Sequence, residues 1–228
     1  MVGRAESTAR MSAHPSTAAA RSLILGRIRD ILGERSEPSE VAYRRIPRDY
    51  RDSGVLTSEA SVALLVDRLQ HYQVGVHRCD PSKLPGTIAA ALLARARTRL
   101  IVPSDINRRW LPPAAEFRPD EALSYPDLDG CDGVVTACSL AIANTGTIVL
   151  RHAAGEGRRA LTLIPDYHLC VVLADQIVQT VPEAIRRLAA LKPALVTTVS
   201  GPSATADIEM TRVRGVHGPR TLDVVVVA

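Results

Sequence analysis

The sequence predicts an α/β fold in which strands and helices alternate and a mixed sheet is covered on both faces. Three observations carry that expectation. Short β-branched runs recur at 74–77, 100–102, 133–136, 147–150, 169–173 and 222–227, each bounded by Gly, Pro or polar residues. Between several of them lie stretches whose apolar residues repeat at helical spacing. Finally, 46% of the 228 residues are hydrophobic, enough for a substantial core, while no apolar run approaches the roughly 20 residues of a membrane span.

In chain order, residues 1–17 are polar and show no apolar period, as expected of a frayed tail. Ala18, Leu23, Ile24, Ile28, Ile31 and Leu32 then form a one-sided stripe stopped by Gly33, the mark of a first helix. Residues 34–54 are charged, contain two prolines and lack a period, so they read as a connection or surface arm. A tail, helix and arm over 1–54 therefore precede an α/β domain over 55–228. Thr57 and Ser58 open a second helix with Val62, Leu65, Val66 and Leu69 on one face. A strand at 74–77, an Ala/Leu helix at 87–97 and a strand at 100–102 follow. Residues 103–132 hold five prolines and the lone Trp110 and Phe117, and read as a loop or lid. A strand at 133–136 runs into small residues at 137–143, read as a helical turn, and then a strand at 147–150. Strands at 160–164 and 169–173, a helix at 182–191 and a strand at 194–199 complete the pattern before the last run, 222–227.

Composition narrows the function. Only Lys83 and Lys192 are lysines among 28 basic residues, the net charge is +4, and aromatics are 3%. The arginines are scattered, so neither a basic patch nor the stacking platforms of a nucleic-acid binder are written here. The start of the chain has no apolar signal core, which with the missing span leads to an expected cytoplasmic location. Cys79, Cys131, Cys138 and Cys170 are widely spaced with no CxxC pair, so no metal site and no cofactor is expected in this chain. All four cysteines read as reduced and structural.

Two Gly-rich stretches are the candidate sites. In NTGT, Asn144, Thr145, Gly146 and Thr147 place an amide, two hydroxyls and a glycine before a strand, a set that can bind a carboxylate or phosphate. The same four residues also suit a left-handed helix cap satisfying its own backbone. The second stretch, 199–219, carries Ser200, Gly201, Pro202, Ser203, Thr205 and Asp207, then His217 between Gly215 and Gly218. Gly201 permits a turn or close approach, while Ser203, Thr205 and Asp207 offer two hydroxyls and a carboxylate. Asp207 and His217 are either a catalytic pair, the carboxylate orienting the imidazole, or a helix cap and a turn residue. The two stretches are expected to meet at one anion-binding pocket at the carboxyl ends of neighbouring strands, with Arg151 or Arg212 adding charge.

The runs AIANTGTIVL, LIPDYHLCVV, SGPSATADIE and GVHGP, in that order and at those separations, resemble the LUD domain, a lactate-utilization family. The resemblance spans roughly residue 60 to the end. It implies a three-layer α/β/α sandwich like that of ribose-5-phosphate isomerase, glucosamine-6-phosphate deaminase and the CoA transferases. It also implies a subunit acting beside iron–sulfur partner proteins in oxidising L-lactate to pyruvate, with a small anionic ligand. Many members of the family carry an acidic residue where this chain has Asn144. An amide is neither nucleophile nor general base near neutral pH, so a CoA-transferase mechanism through that position is not expected. A stand-alone enzyme acting on a sugar phosphate or CoA-type ligand is the alternative.

Overall fold

The computed structural model describes residues 17–33, 39–205, 213–214 and 218–228, which fall into two compact units dividing between Tyr50 and Arg51. In the first unit, α1 (Thr17–Leu32) and α2 (Ser39–Arg44) are helical. The arm expected to be irregular thus contains one short helix, pinned by an Arg44–Glu40 pair one turn apart. The α1 stripe forms as predicted, and among the described residues Ile31 is 85% and Leu32 71% exposed.

In the second unit, α3 (Ser58–His71) starts at Thr57, whose hydroxyl accepts from Ala60 N, and buries Val62, Leu65 and Leu69. β1 (Gly75–Cys79), α4 (Leu84–Ala94) and β2 (Arg99–Pro103) follow. The supposed lid contains a strand, β3 (Glu116–Asp120), and a short helix, α5 (Tyr125–Asp129). Pro119 hid the strand from a sequence reading, yet it is allowed because β3 is an edge, paired among the described strands only with β2. β4 (Gly133–Thr136) leads to β5 (Leu140–Ile142), where a helical turn was expected. β6 (Thr147–Leu150) is as read, but 160–164 is not a strand; Arg159–Thr162 is a 3₁₀ turn that buries Leu161 against Ile101, Leu128 and Val134. β7 (Tyr167–Leu173), β8 (Ile177–Val178), α6 (Val181–Leu191), β9 (Thr197–Val199), β10 (Ala204–Thr205), β11 (Val213–Arg214) and β12 (Thr221–Val227) complete the unit. α6 begins with a reciprocal Thr180–Glu183 capping box.

Six strands form an entirely parallel sheet in the order β1-β12-β7-β4-β2-β3. Among the described strands antiparallel pairing, expected within one mixed sheet, is confined to a second sheet, β8-β5-β6-β9, and to the β10–β11 pair. Alternation sorts β7 and β12 onto two faces. Leu169, Val171, Val225 and Val227 pack under Leu84, Ile88 and Leu92 of α4. On the other face Cys170, Val172, Val224 and Val226 meet Leu65 and Leu69 of α3 with Ala141 and Ile148 of the small sheet. The outer face of that sheet is closed by Ala184 and Leu188 of α6. The result is an α/β fold with a parallel central sheet flanked by helices, one flank being shared with a small second sheet. Among the described residues no helix is long and apolar enough to cross a membrane, and no cluster of His, Cys, Asp and Glu could hold a metal ion.

Candidate functional site

The small sheet brings the two Gly-rich stretches together. β6 and β9 are antiparallel with Ile148 opposite Val199, and continuing that register sets Thr147 opposite Ser200 and Gly146 opposite Gly201. The side chains agree: Thr147 Oγ1 lies 2.8 Å from Ser200 Oγ and 2.7 Å from Thr145 Oγ1, forming a chain of three hydroxyls. Gly146 (φ 61°) and Gly201 (φ 87°) are left-handed, and each presses on α3. A Cβ on Gly146 would stand 2.8 Å from Arg68 Cβ, and one on Gly201 2.8 Å from Tyr72 Cβ. The glycines are therefore required both by conformation and by the closeness of that helix.

The cleft beside this junction has a volume of about 220 Å³. Ser200, Gly201, Pro202 and Ser203 form one wall, Arg159 and Thr162 another, and His168 and Leu222 the floor. Asn144, Thr145, Gly146 and Thr147 are not part of the wall; Asn144 is exposed, its N–H donates to Gln179 O, and the group reaches the cleft only through the Thr147–Ser200 hydroxyl bond. Thr205 lies in β10, while Asp207, Arg212 and His217 lie outside the described residues. Arg151 does not line the cleft; its Nε donates to Ser139 Oγ at 2.8 Å.

The position within the sheet also differs from the expectation. His168 and Leu222 are the second residues of β7 and β12, so the cleft sits at the amino ends of those strands. The reason is topological. β9 belongs to the small antiparallel sheet, and the segment after it must travel to where β12 begins. Its neck is closed by Ser203 N donating to Pro219 O at 2.9 Å.

Two residues outside the expected site residues, Arg159 and His168, add charge and a ring nitrogen to the lining. Arg159 Nη1 donates to Thr162 O and Oγ1 at 3.0 and 3.2 Å, which holds the guanidinium at the rim. His168 is 1% exposed, and its Nε2 lies 2.8 Å from Thr136 Oγ1, itself fully buried. Behind them the polar chain continues into an otherwise apolar core. Cys138 draws the Cys170 thiol below its ordinary range, against the burial that raises it, with His168 and Thr136 acting in the same direction as Cys138. The same contact and burial push Cys138 well up, and Cys138 O accepts from Gln176 Nε2 at 2.7 Å.

The loop after β6 adds a second buried network. Glu156, 2% exposed, accepts from Ser139 Oγ and from Arg151 N at 2.6 Å, and His152 (φ 57°) links Gly157 O and Thr197 Oγ1, each at 2.9 Å. Thr197 lines the cleft, so this loop braces its far wall. No carboxylate lies among the described lining residues, which present one guanidinium, one imidazole and several hydroxyls. Such a lining suits a small anion.

Comparison with known proteins agrees with the motifs. The sequence model of the LUD domain matches residues 119–227. The chain is 44% identical over 223 residues to lactate utilization protein C of Deinococcus radiodurans, covering 95% of this chain and 100% of that one. It is 26% identical over 232 residues to lactate utilization protein C of an Exiguobacterium species, covering 94% and 98%. The crystal structure of a DUF162 family protein from Deinococcus radiodurans superposes with a TM-score of 0.67 at 43% identity, over 76% of this chain and 100% of that chain.

Proposed function

Because this chain belongs to the LUD domain family, we propose that it serves lactate utilization by binding a small carboxylate beside iron–sulfur partner proteins that carry the electrons. The observation that carries the reading is the cleft itself, with Arg159 at its rim, hydroxyls along one wall and no carboxylate among its described lining residues. Bidentate hydrogen bonding from a guanidinium and single bonds from Ser and Thr hydroxyls are the usual means of holding a carboxylate. In this proposal the electron-carrying clusters are assigned to the partners, which is supported by the wide sequence spacing of the four free cysteines of this chain.

The test has two arms. Isothermal titration with L-lactate, pyruvate, sulfate and a sugar phosphate is expected to give saturable binding of the carboxylates, weakened at least about tenfold in Arg159→Gln, or ~1.4 kcal/mol. Co-expression with the neighbouring cysteine-rich open reading frames should yield a co-purifying complex that reduces an artificial electron acceptor with L-lactate. Binding of the sugar phosphate alone, or carboxylate binding indifferent to Arg159, would overturn the reading.

A further inference from the structure

We infer that Cys138 and Cys170 form a redox-active dithiol, a modification site at which hydrogen peroxide is reduced and a disulfide is formed between β7 and the link from β4 to β5. The site stands apart from the carboxylate reading of the cleft and does not depend on it.

The two cysteines are distant in the chain, and the fold joins them. β4 and β7 pair in parallel with Thr136 beside Cys170. After Thr136 the chain leaves the parallel sheet, Ala137 N donating to Gly155 O at 2.7 Å and Ser139 N to Val149 O at 3.0 Å, so Cys138 sits in the turn where β4 ends. That turn presents Ala137 O to Cys170, whose Sγ lies 3.7 Å from it. Gln176 holds Cys138 from the other side, its Nε2 donating to Cys138 O at 2.7 Å and its Oε1 lying 3.5 Å from Cys138 Sγ. The two thiols are hydrogen-bonded to each other, and both are free. Cys138 is 3% and Cys170 0% exposed, in the core cluster that α3, β7, β12 and the small sheet share. Sulfurs already in contact have only to close to about 2 Å to bond, and the turn at 137–139 can supply that movement without disturbing either sheet.

Environment then assigns the roles. The contact with Cys138, joined by His168 and Thr136, favours the Cys170 thiolate against the burial that opposes it, while the contact with Cys170 and burial keep Cys138 a thiol. Cys170 is therefore the nucleophile and Cys138 the resolving group. The Cys170 sulfur attacks one oxygen of the peroxide: an S–O bond forms, the O–O bond breaks, and the departing hydroxide takes the proton given up by Cys170 and leaves as water. The Cys138 sulfur then attacks that of Cys170: the S–S bond forms, the S–O bond breaks, and the second hydroxide leaves as water with the Cys138 proton. The two thiols lose two electrons and one peroxide gains them. Burial selects the oxidant. His168 neighbours Cys170 and forms the floor of the cleft, so a molecule little larger than water has one side chain to pass. A peptide disulfide such as oxidised glutathione cannot approach either sulfur.

The test treats the unmodified full chain with hydrogen peroxide, alkylates the remaining thiols under denaturing conditions, and maps the peptides by mass spectrometry without reduction. A cross-linked Cys138–Cys170 peptide is expected, formed ahead of any oxidation of Cys79 and Cys131 although those two are less buried. Oxidised glutathione in place of peroxide should leave the pair unmodified in the folded chain. In Cys138→Ala, Cys170 should stop at one added oxygen and be trapped by dimedone; in Cys170→Ala, Cys138 should remain a thiol. The measurement on the unmodified chain decides the matter even where a variant does not fold. Oxidation of Cys79 or Cys131 while Cys138 and Cys170 are still alkylated would overturn the proposal. So would sulfinic acids on the two cysteines without a cross-link, or a cross-link that forms only in urea. Dimedone trapping at Cys138 in Cys170→Ala would overturn the division of roles.

Discussion

Replacing Asp223 with Asn would expose how much the parallel sheet depends on one buried charge near its amino edge. The carboxylate is 1% exposed, accepts from Arg95 Nη2 at 2.8 Å and Nε at 3.2 Å, and accepts from Tyr167 Oη at 3.0 Å. Burial alone would raise its pKa, yet His77, Arg95 and Tyr167 together hold it below the usual carboxylate range. Asn keeps the shape and removes the charge, and its amide still offers Tyr167 an acceptor. Hydrogen bonds to charged groups contribute about 1.5–3 kcal/mol each, but Arg95 is 41% exposed and can be rehydrated. The expected loss is therefore on the order of 2–3 kcal/mol, below the ~3–5 kcal/mol of stranding a buried partner. At roughly 2–4 °C per kcal/mol for a chain of this size, melting should fall by about 4–12 °C. Circular dichroism melts at pH 7 and urea titration would read it, with a lower midpoint and an unchanged slope. The sign with pH follows from the depressed folded pKa. The contribution is present above the unfolded value of about 3.9 and is lost as pH falls through the folded one, so wild type and variant should converge in acid. A variant melting within about 1 °C of wild type at pH 7 would refute the account.

Gly75→Ala should be at least as damaging, because its Cβ would stand 2.1 Å from Asp223 Oδ1 and 3.0 Å from Arg95 Nη2; a melting temperature unchanged from wild type would contradict that packing. Gly201→Ala combines a left-handed φ of 87° with a Cβ 2.8 Å from Tyr72 Cβ, and a loss of about 2 kcal/mol in urea titration is expected together with weaker ligand binding. Asp120→Asn removes the pairs from Arg158 Nε at 2.7 Å and Nη2 at 3.0 Å, the first cause of that carboxyl's lowered pKa. Its stabilising effect should be present at pH 7 and vanish as pH falls below about 4, and melts across that range would show whether the gap to wild type closes. Thr180→Ala breaks the α6 capping box and should cost about 1 kcal/mol, read by the same melts.

Much of the architecture was legible because its determinants are local. The apolar runs of β7 and β12, the Thr57 cap of α3 and the Pro-led start of α6 each announce themselves within a few residues. The misreadings share a cause, namely that tertiary burial overrode local pattern. Residues 160–164 are apolar enough for a strand, yet Leu161 is buried by a 3₁₀ turn against Leu128 and Ile101. Leu140–Ile142 looked helical beside small residues, but they pair with both β6 and β8. The same holds at the site. Ser200 to Ser203 could be picked out because glycine, proline and hydroxyls cluster there. Arg159 lies in no motif, and His168 lies in LIPDYHLCVV without being marked there as a site residue; the imidazole's partner Thr136 is 32 positions earlier, and the pairing of β4 with β7 brings them together.

The place of β12 has a kinetic consequence. It is the last of the described strands in chain order, yet it lies between β1 and β7, and β1 pairs with no other described strand. During synthesis β1 has no described strand to pair with until β12 has left the ribosome, and the β1 partners of β12 are nearly 150 residues upstream. The floor and one wall of the cleft are completed by Leu222 and by the segment feeding β12, so the ligand-binding surface arises only at this closing step. Ligand should then bind only after the folding barrier has been crossed. Saturating carboxylate would slow unfolding while leaving the refolding rate untouched, a partition that stopped-flow chevrons resolve directly.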